Sequence, residues 1–467
     1  MSLSPSDPSQ AITPQRSSAF TQSRLFALIV LFGMNLLNYV DRYSFYAVGT
    51  HIQDELRIDH GHYGELSASF MIVYTLVSPF MGPLGDRYNR RWLLAAGVGL
   101  WSVATVGTAF SKGYWDMFFW RSLLGVGEAT YGVIAPSLLA DLFPPRDRGR
   151  AMGVYYLALP TGGAVGYGIG GWVADAWNWR AAFWVVGLPG LLVAAAGLWI
   201  HDPGRGASEE SGATSTHRPT IGEYLRMFTV PTFLLNTLGM AAVTFTTGAY
   251  AVFGSTFYQT VRGMTAKQAG VWIGGMTFLA GLLGIAAGTW LADRMLRVTR
   301  RAYLLLAFFA VCLAVPFGSM ALLDSNLNTS LPMLFVAMTL MAMVLGPCNT
   351  VIANVVPANR RASGFAAYIF LVHILGDISS PILIGKAADW LGRPDQIDSM
   401  LGRLAASVGA TPVGSTNLTA GMLLVMPVLI LGAGFFLIGS RFLPEDQLAA
   451  QGADGASDHA GASALIH

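Results

Sequence analysis

Apolar stretches long enough to cross a bilayer recur about twelve times along the chain, separated by short polar intervals that often carry arginine. They cover residues 25–48, 63–84, 92–110, 115–142, 151–174 and 181–200, then 233–258, 269–292, 303–323, 332–356, 363–388 and 418–442. A helix rises about 1.5 Å per residue and the hydrocarbon layer is about 30 Å thick, so each stretch has the length of a transmembrane helix. Between the sixth and seventh lies a polar interval, 202–232, which opens on Asp202, Pro203 and Gly204 and ends in a short amphipathic piece, Ile221 to Phe228. It reads as a cytoplasmic linker between two six-helix halves. The pattern predicts an all-α membrane protein of twelve transmembrane helices in two six-helix bundles, 24–201 and 233–442. The ends, 1–23 rich in Ser, Pro and Gln and 443–467 rich in Ala, Gly and Asp, read as disordered cytoplasmic tails.

Composition agrees with a polytopic membrane protein: 467 residues, 53% hydrophobic and 12% charged. A net charge of +2 offers nothing to a nucleic acid. Cys312 and Cys348 both fall in apolar stretches, so neither a disulfide framework nor a metal centre is expected, and no cofactor. Placing both termini inside leaves eighteen Lys and Arg in cytoplasmic segments against eight outside. That asymmetry sets the orientation by the positive-inside rule. A single Arg in the first 23 residues and no following apolar run exclude a cleavable signal peptide. With no organellar address either, a bacterial inner membrane is the expected location.

The halves repeat one another. GPLGDRYNRR, from Gly82 to Arg91, recurs as TWLADRMLRVTRR from Thr289, pairing Asp86 with Asp293, Arg87 with Arg294 and Arg90 with Arg297. FPPRDRGRAMG recurs as VVPANRRASG, pairing Pro144 with Pro357. The two bundles are therefore pseudo-symmetric parallel copies.

Four charges lie deep inside predicted spans of the first half: Asp41 and Arg42 in the first, Arg121 and Glu128 in the fourth. An ionised group at mid-membrane costs about 2.5–3.5 kcal/mol on insertion scales, so these residues face protein or water rather than lipid. Arg121 and Glu128 are about two turns apart and share a helix face. Asp41 and Arg42 diverge by about 100° and can border one cavity without pairing with each other. A carboxylate beside an arginine in a dry site is pulled towards both protonation states. We therefore read Asp41 and Glu128 as proton sites. Arg42 or Arg121, with Asn38 and Tyr43, would receive an anionic head group, for which the guanidinium fork is suited. Met341, Leu334 and Gly248 stand near the second-half equivalents of Glu128, Arg121 and Asp41, and all are uncharged. A cavity charged on one wall and apolar on the other, with Phe245, Tyr250 and Phe253 as lining, suits an amphiphile with one polar end. His373 and Asp377, four apart in span eleven, form a polar pair in the second half, either a structural contact or part of the pathway. GYGIGG at Gly166–Gly171 satisfies a dinucleotide fingerprint, but it lies inside a span with no strand before it, so it reads as close helix packing.

The loop motif GPLGDRYNRR resembles the signature of the major facilitator superfamily, which implies that fold. LNYVDRY, RSLLGVGEATYGVIAPSLLADLF, LPTGGAVGYGIGGW and HILGDISSP together resemble the spinster family, whose animal members export sphingolipid and lysophospholipid species. The resemblance implies a cytoplasmic gate motif at Gly82, Asp86, Arg87 and Arg91, with Asp293 and Arg294 in the second copy. In it Asp86 and Arg87 latch against helices of the other half while the transporter opens outward. The expected function is proton-coupled alternating-access transport of a lysophospholipid-type or sphingoid-type lipid by a monomer whose partners are that substrate, protons and membrane lipids. Other readings are an organic-anion symporter or multidrug exporter of the same superfamily, and a sensor that binds without transport. No nucleophile with an adjacent base supports an enzyme.

Overall fold

The computed structural model describes residues 15–204, 222, 226–357 and 360–464, with the side chains of 15–23, 86, 145, 362 and 452–464 excepted. The first half holds α1 (Gln15–Ala47), α2 (Gly49–Leu56), α3 (His60–Arg87), α4 (Arg90–Thr108), α5 (Tyr114–Leu142), α6 (Pro145–Tyr156), α7 (Ala158–Ala176) and α8 (Trp179–Gly197). The second holds α9 (Pro231–Thr260), α10 (Ala266–Leu296), α11 (Ala302–Leu323), α12 (Leu327–Ala342), α13 (Leu345–Val355) and α14 (Arg361–His373). It continues with a π-helical turn (Ile374–Ile378), α15 (Ser379–Leu391), α16 (Pro394–Ile397), α17 (Met400–Ser407), α18 (Leu418–Leu423) and α19 (Val425–Ala464).

Ten described segments are long and apolar enough to span. The two that fall short are the third, α4, which opens on Arg90 and Arg91, and the fifth, α6 with α7, which begins in a basic turn and is then glycine-rich. Both pack inside the bundle like the others, so the architecture is twelve spans. Local signals set the ends: Asp59 caps α3 by accepting from the His62 N–H, and Thr265 with Gln268 forms a capping box at α10.

Two expectations are corrected. Residues 15–23 and 443–464 are helical continuations of α1 and α19, although their composition read as disordered. Neither Pro nor Gly interrupts the first, so helix propensity carries it outward, whereas the second is helical although it holds Pro444 and three glycines. Residues 1–14, 465–467 and half of the expected amphipathic piece 221–228 lie outside the described residues.

The halves share one core at the end remote from the chain termini and part towards the other. A continuous buried cluster joins Phe45, Tyr63 and Phe183 of the first half to Phe253, Phe257 and Ile384 of the second. At the termini end the first half has a cluster of its own, built on Leu31, Leu94, Leu138 and Tyr155.

Candidate functional site

α1, α3 and α5 converge on the intramembrane charges. Arg42 Nη2 lies 2.6 Å from Glu128 Oε2, and the Glu128 side chain is 1% exposed against 17% for Arg42. Arg42 thus faces a cavity while its partner is sealed in protein. Both guanidinium groups lie near the Phe70 ring, Arg42 4.6 Å and Arg121 4.9 Å from its centroid. Arg121 also lies 4.1 Å from the Phe45 ring. Arg121 is 1% exposed, and among the described residues none of its three nitrogens has a hydrogen-bond partner. Contact with aromatic faces offsets part of that cost, on the order of 2 kcal/mol when desolvated.

Asp41 is equally buried and turns towards α4. Its Oδ2 is bonded to the Thr105 hydroxyl, while Oδ1 has no partner. Thr105 Oγ1 also lies 3.0 Å from the Trp101 carbonyl. One hydroxyl has one proton, so it cannot donate fully to both oxygens. Asn35 donates to the Tyr155 carbonyl at 3.0 Å and ties α1 to α6. Asn38 is buried and lines neither cavity described below.

Two cavities meet at Tyr43, Thr247 and Ala251. The smaller, about 120 Å³, is polar and is bordered by Arg42, Tyr46, Ser67 and Asp377. The larger, about 300 Å³, is bordered by Tyr167, Val243, Tyr250, Leu334, Met338 and Met341. Leu334 and Met341, the second-half counterparts of Arg121 and Glu128, therefore form its apolar wall. Of the three expected aromatics only Tyr250 lines it. Phe253 is instead packed against His60 and Tyr63 at the closed end, and Phe245 lies in the core. The second half is not uncharged at the site, since Asp377 enters the smaller cavity. Its carboxylate accepts from, or pairs with, His373 Nδ1 at 2.7 Å.

The closed end is held by contacts across the halves. Asp389 accepts from the His60 and Gly61 N–H groups, at 3.2 and 2.6 Å, so a carboxylate of one half caps a helix of the other. Lys386 Nζ lies 2.8 Å from Glu65, Thr50 donates to Gln259 at 2.6 Å, and the Tyr167 hydroxyl donates to the Ala251 carbonyl. Glycines permit this closeness: a Cβ at Gly64 would stand 2.2 Å from the Pro381 carbonyl oxygen, and one at Gly171 2.2 Å from that of Ala266. Apart from Tyr167 and Gly171, which fall in the GYGIGG stretch read as close helix packing, none of these gate residues was singled out from the sequence. Their signal was weak, because single polar residues at span ends look like ordinary surface.

Among the loop-motif residues at the termini end, Gly82 adjoins open space, Arg87, Asp293 and Arg294 are exposed, Arg91 lies 5.8 Å from the Trp92 ring, and the Asp86 side chain lies outside the described residues. The buried charged residue of the motif is Arg90, which bonds Asp141 at 2.5 Å and Asp202 at 2.6 Å, fastening α4 to the end of α5 and to the segment after α8.

A twelve-span bundle of two repeated halves around a central cavity, closed at one end, defines a major facilitator. The chain matches the family model described as Major Facilitator Superfamily over residues 31–381. It is 32% identical to protein spinster homolog 1 of Xenopus tropicalis over 91% of this chain and 82% of that one. It is 33% identical to the Homo sapiens homolog 1 over 81% of this chain and 76% of that one. With protein spinster of Drosophila melanogaster the identity is 32%, over 82% of this chain and 65% of the fly protein. The chain belongs to the spinster family of major facilitator transporters. In fold it is similar to a bacterial homolog of the human lysosomal transporter Spinster, solved inward-facing and unoccupied, with a TM-score of 0.77 at 22% identity over 91% of this chain and 98% of that one. It is less similar to a D-xylose–proton symporter, with a TM-score of 0.67 at 16% identity over 88% and 97%.

Proposed function

We propose that this transporter moves a single-chain, lipid-like amphiphile by proton-coupled alternating access. The observation that carries the reading is the junction of the two cavities: a polar compartment holding Arg42 opens into a larger apolar one, which matches a head group and a tail. Leu159, Leu282 and Ile285 border the larger compartment and are also exposed on the bundle surface, which supports entry of a tail from the lipid side.

Arg42 is the head-group cation, because it alone of the two intramembrane arginines faces the cavity. An anion arriving at Arg42 competes with Glu128, and a sealed carboxylate losing its partner takes up a proton rather than remain charged. Asp41 is the second proton site. A protonated Asp41 would donate to Thr105 and leave the Thr105 proton for Trp101, which resolves the count of donors. Arg121, held between two rings with no anion, is the counter-charge available to Asp41 when that proton leaves. With both termini cytoplasmic, as the distribution of Lys and Arg predicts, this conformation faces inward. The host is then a bacterial inner membrane, and the transporter acts as a monomer. The bundle limits 24–201 and 233–442, flanking the linker, are the two bodies that rock.

Exchange of a fluorescent single-chain phospholipid across proteoliposomes tests the assignment. Arg42→Ala is expected to lower the rate at least tenfold. A rate unchanged in Arg42→Ala, with loss on adding a hydrophilic anion as competitor, favours the organic-anion reading.

A further inference from the structure

Between spans eleven and twelve, residues 392–417 form a hairpin at the closed end that lines neither cavity. Its main element is α17. Ser399 starts this helix by accepting the Gly402 N–H at 3.0 Å, and Gly409, at φ 85°, turns the chain out of it. The hairpin does not stand off in water. The Asn417 N–H donates to the Ala388 carbonyl at 2.8 Å, and a Cβ at Gly392 would stand 2.3 Å from the Thr416 Cα, so its two ends meet at the end of α15. Ala405 of α17 shares a small core with Leu391 of α15 and Ala420 of α18, and Leu323 of α11 packs against that core. α17 is thereby pinned across the ends of three spans.

At about 100° per residue the helix has three faces. Gly402 and Ala405 fall on one and are buried against the protein. Met400, Leu401 and Leu404, with Val408 just beyond the helix, fall on the second and are exposed, Met400 80% and Leu404 59%. Arg403, Ala406 and Ser407 fall on the third and are exposed as well. A helix surrounded by water on both exposed faces gains nothing from sorting its residues in this way. One that lies along a boundary between hydrocarbon and water buries the apolar arc in the first and keeps the polar arc in the second.

The boundary lies at the level of α17. Leu383 and Trp390, seven apart and so on one face of α15, are exposed and line neither cavity, which leaves lipid as what they meet. A tryptophan at the end of a span marks the interface, and Leu391, the next residue, belongs to the same small core as Ala405. Charge does not choose the seat, because Arg393 and Arg403 are matched by Asp395 and Asp398 within the hairpin.

We propose that α17 is an interfacial anchor, its apolar arc seated among the acyl chains just below the head groups of the leaflet at the closed end.

The test uses the full chain in proteoliposomes of phosphatidylcholine alone, since the hairpin needs no anionic lipid. Cys312→Ala and Cys348→Ala clear the background, and a single spin label is attached at Leu404→Cys or at Ser407→Cys. Dissolved oxygen concentrates in hydrocarbon, whereas a charged nickel chelate stays in water. The label at position 404 is expected to relax more with oxygen than with the chelate, and the label at position 407 the reverse. Met400→Cys, one turn before Leu404 on the same face, repeats the first arm if Leu404→Cys does not fold. Relaxation by the chelate at position 404 equal to that at 407 places the arc in water and overturns the proposal. Shielding of position 404 from both reagents places protein there, a second copy or another partner, and overturns it equally.

Discussion

Glu128 and Arg42 form an ion pair deep within the first half, and its value lies in how unevenly it is buried. Breaking a buried pair by removing one partner costs about 3–5 kcal/mol because the remaining charge is stranded. Arg42 keeps access to the cavity, so Glu128→Ala is expected near the lower end, about 3 kcal/mol, read as thermal unfolding in detergent. Glu128→Gln retains an acceptor for Arg42 and is expected to unfold closer to wild type while losing proton-driven transport. Asp41→Asn is expected to melt within about 1 kcal/mol of wild type, because its amide can donate to Thr105 as a protonated carboxyl would. It is also expected to flatten the pH dependence of substrate binding.

That these positions carry charge inside apolar windows was legible in the sequence, but of the four only Arg42 lines a cavity, the other three being sealed in protein. Their pairing was not legible, because it depends on how α1 and α5 rotate about their axes. Either arginine could have met either carboxylate. Arg90 was hidden for another reason: among basic loop residues it looks like an orientation charge, and only the fold brings Asp141 and Asp202 to it. Burial of Asp202 favours its neutral form, but the bonds and charge of Arg90 outweigh this and hold the carboxyl below its ordinary range. A depressed folded-state pKa stabilises above the ordinary value and is lost as pH falls through the lowered one. The gap in melting temperature between wild type and Asp202→Asn is therefore expected to be widest near neutrality and to close in strong acid.

At the scale of elements, the contacts that decide the conformation are those of α3 with α15 and of α7 with α10. Each pair closes on glycines that let backbones touch, Gly64 and Gly385 in the first, Gly171 and Gly270 in the second. Gly64→Leu is expected to force α3 from α15 and bias the protein towards the state open at that end. A spin-label distance between the ends of these helices should lengthen, and an unchanged distance would show that other contacts hold the gate. The periodicity of the chain announced the long helices well, but not this seam. A glycine in a span reads the same whether it faces lipid, a neighbour in its own half or the opposite half. The extended end of α1 was missed because composition was weighed there above helix propensity, while that of α19, with Pro444 and three glycines, carries no such signal.

For the molecule as a whole, one shared core at the closed end and a separate first-half core at the other describe two bodies hinged at one side. Alternating access then exchanges the Asp389, Lys386 and Tyr167 contacts for contacts near the loop motif, the second set being the latch that the family resemblance implies. The central claim is that a proton and an amphiphile meet at the Arg42–Glu128 pair. The most direct measurement follows proton movement with an enclosed pH-sensitive dye in proteoliposomes when a single-chain phosphate lipid is added, for the wild-type protein, Glu128→Gln and Asp41→Asn. The account predicts flux in the wild type that requires the lipid and is abolished by Glu128→Gln. Lipid-driven flux that persists in both variants, or no lipid-driven flux in the wild type, would contradict it.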